Sequence, residues 1–196
     1  MRDIGQAAGV SPALLYRYFP SKHAVLLALY DDLSRQFEER ALAMPAGPWR
    51  ERFLFALRAS LDVLGPHRGT ISGLVPVLVG SPRDGVFAES SAFSRRRVQS
   101  AFEQAVVDAR DAPAEPDARA LGRVLYLAHL AMLLWWALDR SREQRTTAGM
   151  LSLLAQVLPA LALALKFPRL RRLVRAGDVL LREGLLGESL PAGGAA

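Results

Sequence analysis

The chain has 196 residues, of which 51% are apolar and 22% are charged, a balance typical of a folded globular protein rather than a disordered one. It contains no cysteine, which excludes disulfides and thiolate sites, and its three histidines lie too far apart in sequence to indicate a metal site. The net charge of +6 is compatible with a nucleic-acid partner, but residues 1–40 are electrically balanced and the excess lies in 166–182.

The N-terminal segment is predicted to form two short helices and a longer one. The first covers residues 2–8 and is ended by Gly9; the second covers 12–19, with Ser11 as its N-cap and proline at its first position. The third runs from residue 22 to about 42, because apolar side chains such as Leu29 and Leu33 recur at steps of three and four residues.

A larger helical body is predicted beyond the breaker between Pro45 and Pro48. Its helices are expected at 49–64, 67–80 (short and kinked), about 90–109, 117–140, 143–165 and 168–183. No segment alternates like a strand, so we predict an all-α protein. Its domains are a head with a linker helix at 1–43, a ligand-binding and dimerisation domain at 44–185, and a disordered tail at 186–196.

The helices at 117–140 and 143–165 are apolar around most of their circumference. Residues 146–165 carry no charge and are long enough to span a bilayer, but Gln156 and Pro159 interrupt them. Pairing the two helices across a two-fold axis would make a four-helix bundle that buries both. We therefore predict a homodimer through these helices and no membrane insertion. Because the N-terminus lacks the apolar region of a secretory signal, we expect a cytoplasmic protein.

Residues 2–22, RDIGQAAGVSPALLYRYFPSK, have the features of a helix-turn-helix. A steep crossing of two helices needs small residues, which Ala7 and Ala8 would supply, and a turn residue that tolerates positive φ, which Gly9 would supply. In the second helix, Leu15 and Phe19 would face inward together with Ile4. The opposite face would then carry Pro12, Ala13, Tyr16 and Arg17.

This outward face suits the major groove of DNA. Its small residues permit close approach, Arg17 can bind guanine through two hydrogen bonds, and Tyr16 can reach a phosphate or a base edge. Ser11 and Lys22, each near a helix N-terminus, can add phosphate contacts. The alternative, in which the aromatic side chains are simply core residues, is preferred for Phe19 only.

The same residues resemble the DNA-binding signature of the TetR family of repressors. The shared pattern is an isoleucine-alanine helix, a Gly-Val-Ser turn, a Leu-Tyr-x-Tyr-Phe recognition helix and a turn ending in lysine, and it covers about the first 40 residues. The resemblance implies a transcriptional repressor that binds a palindromic operator in double-stranded DNA as a homodimer. It implies DNA contacts through Arg2, Ser11, Pro12, Ala13, Tyr16, Arg17, Tyr18 and Lys22.

Members of that family carry a further helix ahead of the position of Arg2. We expect either that the assigned start codon is too late, which we favour, or that this form is truncated and binds DNA weakly. The alternative function is a helical dimeric interaction or ligand-binding protein that has lost DNA binding through N-terminal truncation.

In the family, a small molecule enters the body, tilts the helix leading to the head and changes the spacing of the two heads. The corresponding lever here would be 22–42, and the moving part would be 67–80, which Gly69, Gly73 and Pro76 interrupt. A largely apolar set of candidate pocket residues predicts a small, largely apolar effector: Phe53, Leu57, Leu74, Phe87, Phe102, Tyr126, His129, Met132 and Trp136. For His129 we prefer a core role with satisfied hydrogen bonds over a ligand contact.

An enzyme is the remaining alternative. The sequence has no cysteine, no glycine-rich phosphate loop and no carboxylate pair within a motif, so we expect neither catalysis nor a cofactor nor a metal. For the basic segment 166–182, a solvated helix face is preferred over contact with DNA or an acidic lipid surface.

Overall fold

The computed structural model describes residues 1–188, which contain helices and no strand. The α-helices of this part are α1 (Arg2–Ala7), α2 (Pro12–Tyr18), α3 (Lys22–Ala41), α4 (Trp49–Leu64), α5 (Arg68–Gly80), α6 (Ala92–Val107), α7 (Asp117–Leu138), α8 (Arg145–Ala164) and α9 (Pro168–Gly184). The predicted all-α class is confirmed, and each predicted helix is present within about two residues of its expected bounds. The predicted tail at 186–196 lies, from residue 189 onward, outside the described residues.

The core of the body forms around α4, in which nine of sixteen residues are buried. Phe53 of α4 packs edge-on against Phe102 of α6, with ring centroids 5.9 Å apart, and Phe37 of α3 stacks on Phe102 at 5.8 Å. Each such side chain stabilises the fold by about 1.5–3 kcal/mol when fully buried. The aromatic cluster therefore fixes the C-terminal half of α3, whose other end leads to α1 and α2.

Helices α6 and α7 cross closely at Gly122. A Cβ atom at this position would lie 2.6 Å from Cα of Glu103, which is backbone and cannot move aside alone. The next residue, Arg123, lies 3.7 Å from the carboxylate of Glu103 and also contacts Asp178 of α9. Residue 122 must therefore be glycine, because α7 packs closely against α6 here and contacts α9 at the next residue.

The ion pair between Arg123 and Asp178 joins α7 to α9. Arg123 donates from Nε and Nη2 to the two carboxylate oxygens at 2.5 and 2.8 Å, and Asp178 is 5% exposed. These hydrogen bonds raise the pKa of Arg123 further above its usual value. Removing one partner of a buried pair leaves the other charge unpaired, which is more costly than losing an exposed pair.

Asp178→Ala is accordingly expected to lower the free energy of unfolding by about 3 kcal/mol. Arg182→Ala is the matched control, because Arg182 lies on the same helix as Asp178 and forms a more exposed pair, with Glu188 beyond the end of that helix; it is expected to cost less than about 1 kcal/mol. Urea denaturation at one protein concentration measures both values. If both variants lost the same free energy of unfolding, burial would not be what makes the Asp178 ion pair stabilising.

Asp139 organises the connection between α7 and α8. Its carboxylate accepts hydrogen bonds from the Ser141 amide at 2.8 Å and from the amide and hydroxyl of Thr147 at 2.9 and 2.7 Å. These bonds, the Thr147 side chain most of all, hold the pKa of Asp139 well below its usual value. Glu143 and Gln144 have positive φ angles of 54° and 55°, so α8 begins two residues later than predicted.

Two helical segments, Asp117–Leu138 and Arg142–Ala164, are long and apolar enough to cross a membrane by length and composition alone. Helices in a protein core or in a subunit interface also satisfy these criteria of length and composition, so the criteria do not distinguish such helices from membrane-spanning ones. Both helices carry a row of exposed apolar side chains. The α7 stripe consists of Leu127, Leu134, Trp135 and Leu138, and the α8 stripe of Leu153 and Val157.

Candidate nucleic-acid interface and internal cavity

Helices α1 and α2 meet at Gly5 and are joined by a turn at Gly9. A Cβ at Gly5 would lie 3.0 Å from the carbonyl oxygen of Val10, whose amide donates to the Gly5 carbonyl at 2.9 Å. Gly9 has the predicted positive φ, +67°. The prediction that Ala7 and Ala8 form the crossing is wrong, because both are exposed and Gly5 is buried one turn earlier.

The orientation predicted for α2 is confirmed. Ser11 caps the helix by accepting a hydrogen bond from the Leu14 amide at 3.2 Å. Leu15 is buried, and Ile4 and Phe19 are half-buried. Tyr16 and Tyr18 are 54% and 69% exposed. The remaining predicted contact residues of this face are also exposed: Pro12, Ala13 and Arg17.

The basic side chains near α2 differ from those of α9 in their partners. Arg2, Arg17 and Lys22 are exposed and form no ion pair with any residue in the range 1–188. Arg171 and Arg175 of α9 instead bind the carboxylate of Asp117 at 3.3 and 3.0 Å. Arg171 and Arg175 of the basic segment 166–182 are therefore neutralised by a carboxylate within the fold. The cationic side chains near α2 are instead available to bind phosphates.

Lys22 is placed at the first position of α3 by its N-cap. The Ser21 hydroxyl accepts a hydrogen bond from the Ala24 amide at 3.1 Å and so fixes where the helix begins. The positive end of the dipole of this twenty-residue helix adds to the charge of Lys22.

An internal cavity of about 160 Å³, partly open to solvent, lies between α3, α4, α5, α6 and α7. None of its lining residues is exposed, and most are aliphatic. The lining consists of Leu29, Tyr30, Leu33, Ser34, Phe37, Ser60, Val63, Leu64, Ile71, Leu74, Leu78, Val86, Ser91, Ser94, Arg95, Val98, Tyr126, His129, Leu130 and Leu133.

Three of the nine candidate pocket residues, Leu74, Tyr126 and His129, line this cavity. Phe87 is half-buried and lies outside the lining. The other five are buried in the core away from the cavity lining: Phe53, Leu57, Phe102, Met132 and Trp136. The contribution of α3 was missed, although Leu29, Leu33 and Phe37 belong to the periodic apolar face from which that helix was predicted.

His129 is the most unusual polar group of the cavity. Its Nε2 atom lies 2.8 Å from the Ser60 hydroxyl, whereas its Nδ1 atom is buried without a hydrogen-bond partner. Its ring lies against Phe102, with centroids 4.5 Å apart. Burial lowers the pKa of His129 to about 3, so the imidazole is neutral near pH 7. The predicted satisfied core histidine is therefore correct for one ring nitrogen and wrong for the other.

Helix α5 and the loop after it connect the cavity to α3. None of the thirteen residues of α5 is buried, and Pro76 lies within the helix. In the following loop, the Asp84 carbonyl oxygen accepts a hydrogen bond from the Tyr30 hydroxyl at 3.1 Å, and the Asp84 carboxylate contacts Nδ1 of His23. Two side chains of α3 are thus tied to the segment that follows α5.

A larger groove of about 690 Å³ is lined by parts of α4, α7, α8 and α9 and by the loop before α7. Its charged groups pair with one another: Arg50 lies 3.3 Å from Asp111, and Arg171 lies 3.3 Å from Asp117. Oδ1 of Asp117 is buried without a hydrogen bond, but it lies 3.0 Å from Nε of Arg175, so the charge of this carboxylate is balanced within the fold.

Comparison with known proteins gives two matches. Residues 1–29, which contain α1, α2 and the start of α3, match the family described as bacterial regulatory proteins, tetR family. Over 88 residues the chain is 35% identical to the HTH-type transcriptional regulator EthR of Mycolicibacterium smegmatis. The match covers 41% of this chain and 38% of the relative, so the chain spans about two fifths of that protein's length. The segment that matches this family is thus the one that folds as the helix-turn-helix, and the chain is similar to the family in this segment.

Proposed function

We propose that this protein is a cytoplasmic, homodimeric transcriptional repressor, without enzymatic activity, that binds a palindromic operator and leaves it when a small, largely apolar effector binds. The observation that carries the proposal is the orientation of α2, which turns Tyr16 and Arg17 to solvent while Leu15 is anchored behind them. This helix lies in the part of the chain that matches the family. An exposed tyrosine and arginine on a short helix suit readout in the major groove.

The α7 and α8 stripes support the dimer. Trp135 is 45% exposed and Val157 is 50% exposed, whereas the neighbouring Trp136 is 2% exposed and belongs to the core. Two such helices from each protomer would form a four-helix bundle and cover these side chains. A two-fold pair would also present two α2 helices to two half-sites, as binding to a palindromic operator requires.

The cavity supports release by an effector. A bound molecule would contact Leu29 and Leu33 of α3 and, on the opposite wall, Leu74 and Leu78 of α5. Asp84, in the loop after α5, contacts His23 and Tyr30 of α3. A displacement of α5 would therefore also move α3, the helix that joins α2 to the body. The effector needs only to fit one arrangement of α3 better than the arrangement that binds DNA.

The DNA contacts are tested by two alanine variants of the full chain. Arg17→Ala is expected to weaken binding by about 1–3 kcal/mol and to relax the preference at one base pair, because a bidentate contact with guanine is lost. Lys22→Ala is expected to weaken binding to all sequences alike and to reduce the salt slope by about one ion. An operator is first selected from a random oligonucleotide pool, and binding is then measured by fluorescence anisotropy at several salt concentrations.

Arg172→Ala is the control for these variants, because Arg172 is an exposed arginine on α9. It is expected to bind the selected operator like the unsubstituted protein. If neither Arg17→Ala nor Lys22→Ala differs from this control, the proposed interface is wrong. If no sequence is selected from the pool, the alternative of a helical ligand-binding protein without DNA binding is favoured.

A further inference from the structure

We infer that the outer face of α9 binds a second copy of this chain, with the two α9 helices antiparallel about a two-fold axis at Ala176. This contact lies on a different helix from the α7 and α8 stripes of the proposed dimer, and it goes beyond the proposed function. It depends neither on DNA nor on an effector.

Helix α9 has two faces of different character. The inner face is buried: Leu181 is 3% exposed, and Asp178 pairs with Arg123 of α7. The outer face carries Leu173 and Leu180, which are 67% and 70% exposed and lie seven residues apart, on the same side of the helix. Two leucines on one face, both mostly in contact with water, form an apolar patch that a partner can cover.

The outer face has the spacing of a coiled-coil contact. Its residues follow one another at steps of four, three, four and three, the heptad pattern that aligns side chains along one side of a helix. The residues of this α9 seam are all exposed: Arg169, Leu173, Ala176, Leu180 and Glu183. Ala176, at the centre, has a small side chain, so two such helices can approach closely at this point.

The charges at the two ends of the α9 seam identify the partner and its direction. Arg169 and Glu183 form no ion pair with any residue in the range 1–188. An antiparallel second copy would place Arg169 opposite Glu183 of that copy at both ends of the contact, with leucine opposite leucine between them. A parallel copy would instead bring like charges together.

Other occupants fit the α9 seam less well. A nucleic acid or an acidic membrane would be attracted by Arg169 and by the neighbouring exposed Arg172, but Glu183 on the same face would repel it. A contact of one helix per copy is small beside the roughly 1,200–2,000 Å² that stable interfaces bury. We therefore expect weak association that requires a high protein concentration.

Ala176→Cys tests the contact directly, because the chain has no cysteine of its own. Under mild oxidation this variant is expected to form an intermolecular disulfide, since the two substituted positions face each other across the axis. Arg172→Cys is the matched control: it is exposed on the same helix, but its two copies would lie about 12 Å apart along the helix axes. Non-reducing gel electrophoresis measures the cross-linked fraction, which is expected to be at least about fivefold higher for Ala176→Cys.

Charge reversal in the Ala176→Cys protein tests the antiparallel arrangement. Arg169→Glu is expected to slow disulfide formation about tenfold, because two like-charge pairs replace two opposite-charge pairs. Addition of Glu183→Arg is expected to restore the rate, because opposite charges meet again. The two positions are about 21 Å apart along one helix, so a role within a single chain would not produce this recovery.

Equal cross-linking of Ala176→Cys and Arg172→Cys, or no recovery with Glu183→Arg, would overturn the inference. Sedimentation of the protein with phosphatidylserine vesicles in place of cross-linking would assign the face to an acidic membrane and would overturn it as well. Operator selection with the same proteins separates this inference from the proposed function. Operator binding without cross-linking refutes the α9 contact alone, whereas cross-linking by a protein that selects no operator supports the contact and contradicts the proposed function.

Discussion

Replacing Trp135 and Val157 together by glutamate is expected to convert the protein into a monomer and to weaken operator binding by at least about a hundredfold. Both side chains are about half exposed in the single chain, on the α7 and α8 stripes. In a four-helix bundle the new carboxylates would be buried without partners, which opposes association strongly. A monomer also loses the second DNA contact that dimerisation makes effectively intramolecular.

Sedimentation measures the mass of the variant, and fluorescence anisotropy measures its operator affinity. Phe93→Glu is the control, since Phe93 is 64% exposed on α6, outside both stripes, with the guanidinium of Arg97 4.6 Å from its ring. This control is expected to remain dimeric. A dimeric Trp135→Glu, Val157→Glu protein would show that the interface lies elsewhere.

Gly122→Val is expected to destabilise the fold by about 3 kcal/mol or more, the upper end of overpacking effects. Even a single Cβ atom would lie 2.6 Å from Cα of Glu103, so α6 and α7 must separate. That separation disturbs Phe102, which lies beside Glu103 and stacks on Phe37 in the core. Thermal and urea unfolding of the full chain measure the loss.

Gly177→Ala is the matched control, because this glycine also lies at a helix contact, between α9 and α7. Its added Cβ would be 3.9 Å from Val124, an ordinary packing distance. Alanine also favours the helix, so a gain of about 0.5–1 kcal/mol is expected. A loss as large as that of Gly122→Val would mean that crowding at Glu103 is not the cause.

Local signals in the sequence were enough to predict the helices. Ser11 caps α2, Gly9 adopts positive φ, and the segment from Pro45 to Pro48 separates α3 from α4. These features depend on neighbouring residues, for which sequence spacing is informative. The inward side of α2 followed from the four-residue spacing of Leu15 and Phe19.

Tertiary placement was harder to predict. Side-chain size alone did not show which turn of α1 approaches α2, so Ala7 and Ala8 were chosen and Gly5 was missed. Large aromatic residues were chosen for the pocket, but Phe53 and Phe102 fill the core by packing on each other.

Two further placements also depended on how the helices pack rather than on side-chain type. Phe93 of α6 is an aromatic residue that the core does not use, because it is exposed beside Arg97. The cavity lies where leucines of α3 and α5 meet, and that meeting depends on the packing of five helices.

The thin packing of α5 has a consequence for how easily this helix changes position. Because none of its residues is fully buried, shifting this helix uncovers little additional apolar surface, and the free energy required is correspondingly small. A molecule bound against α5 can shift the helix only by the difference between its affinities for the two positions. A tenfold preference for one position, a difference of about 1.4 kcal/mol, would therefore be enough to change the ratio of the two positions tenfold.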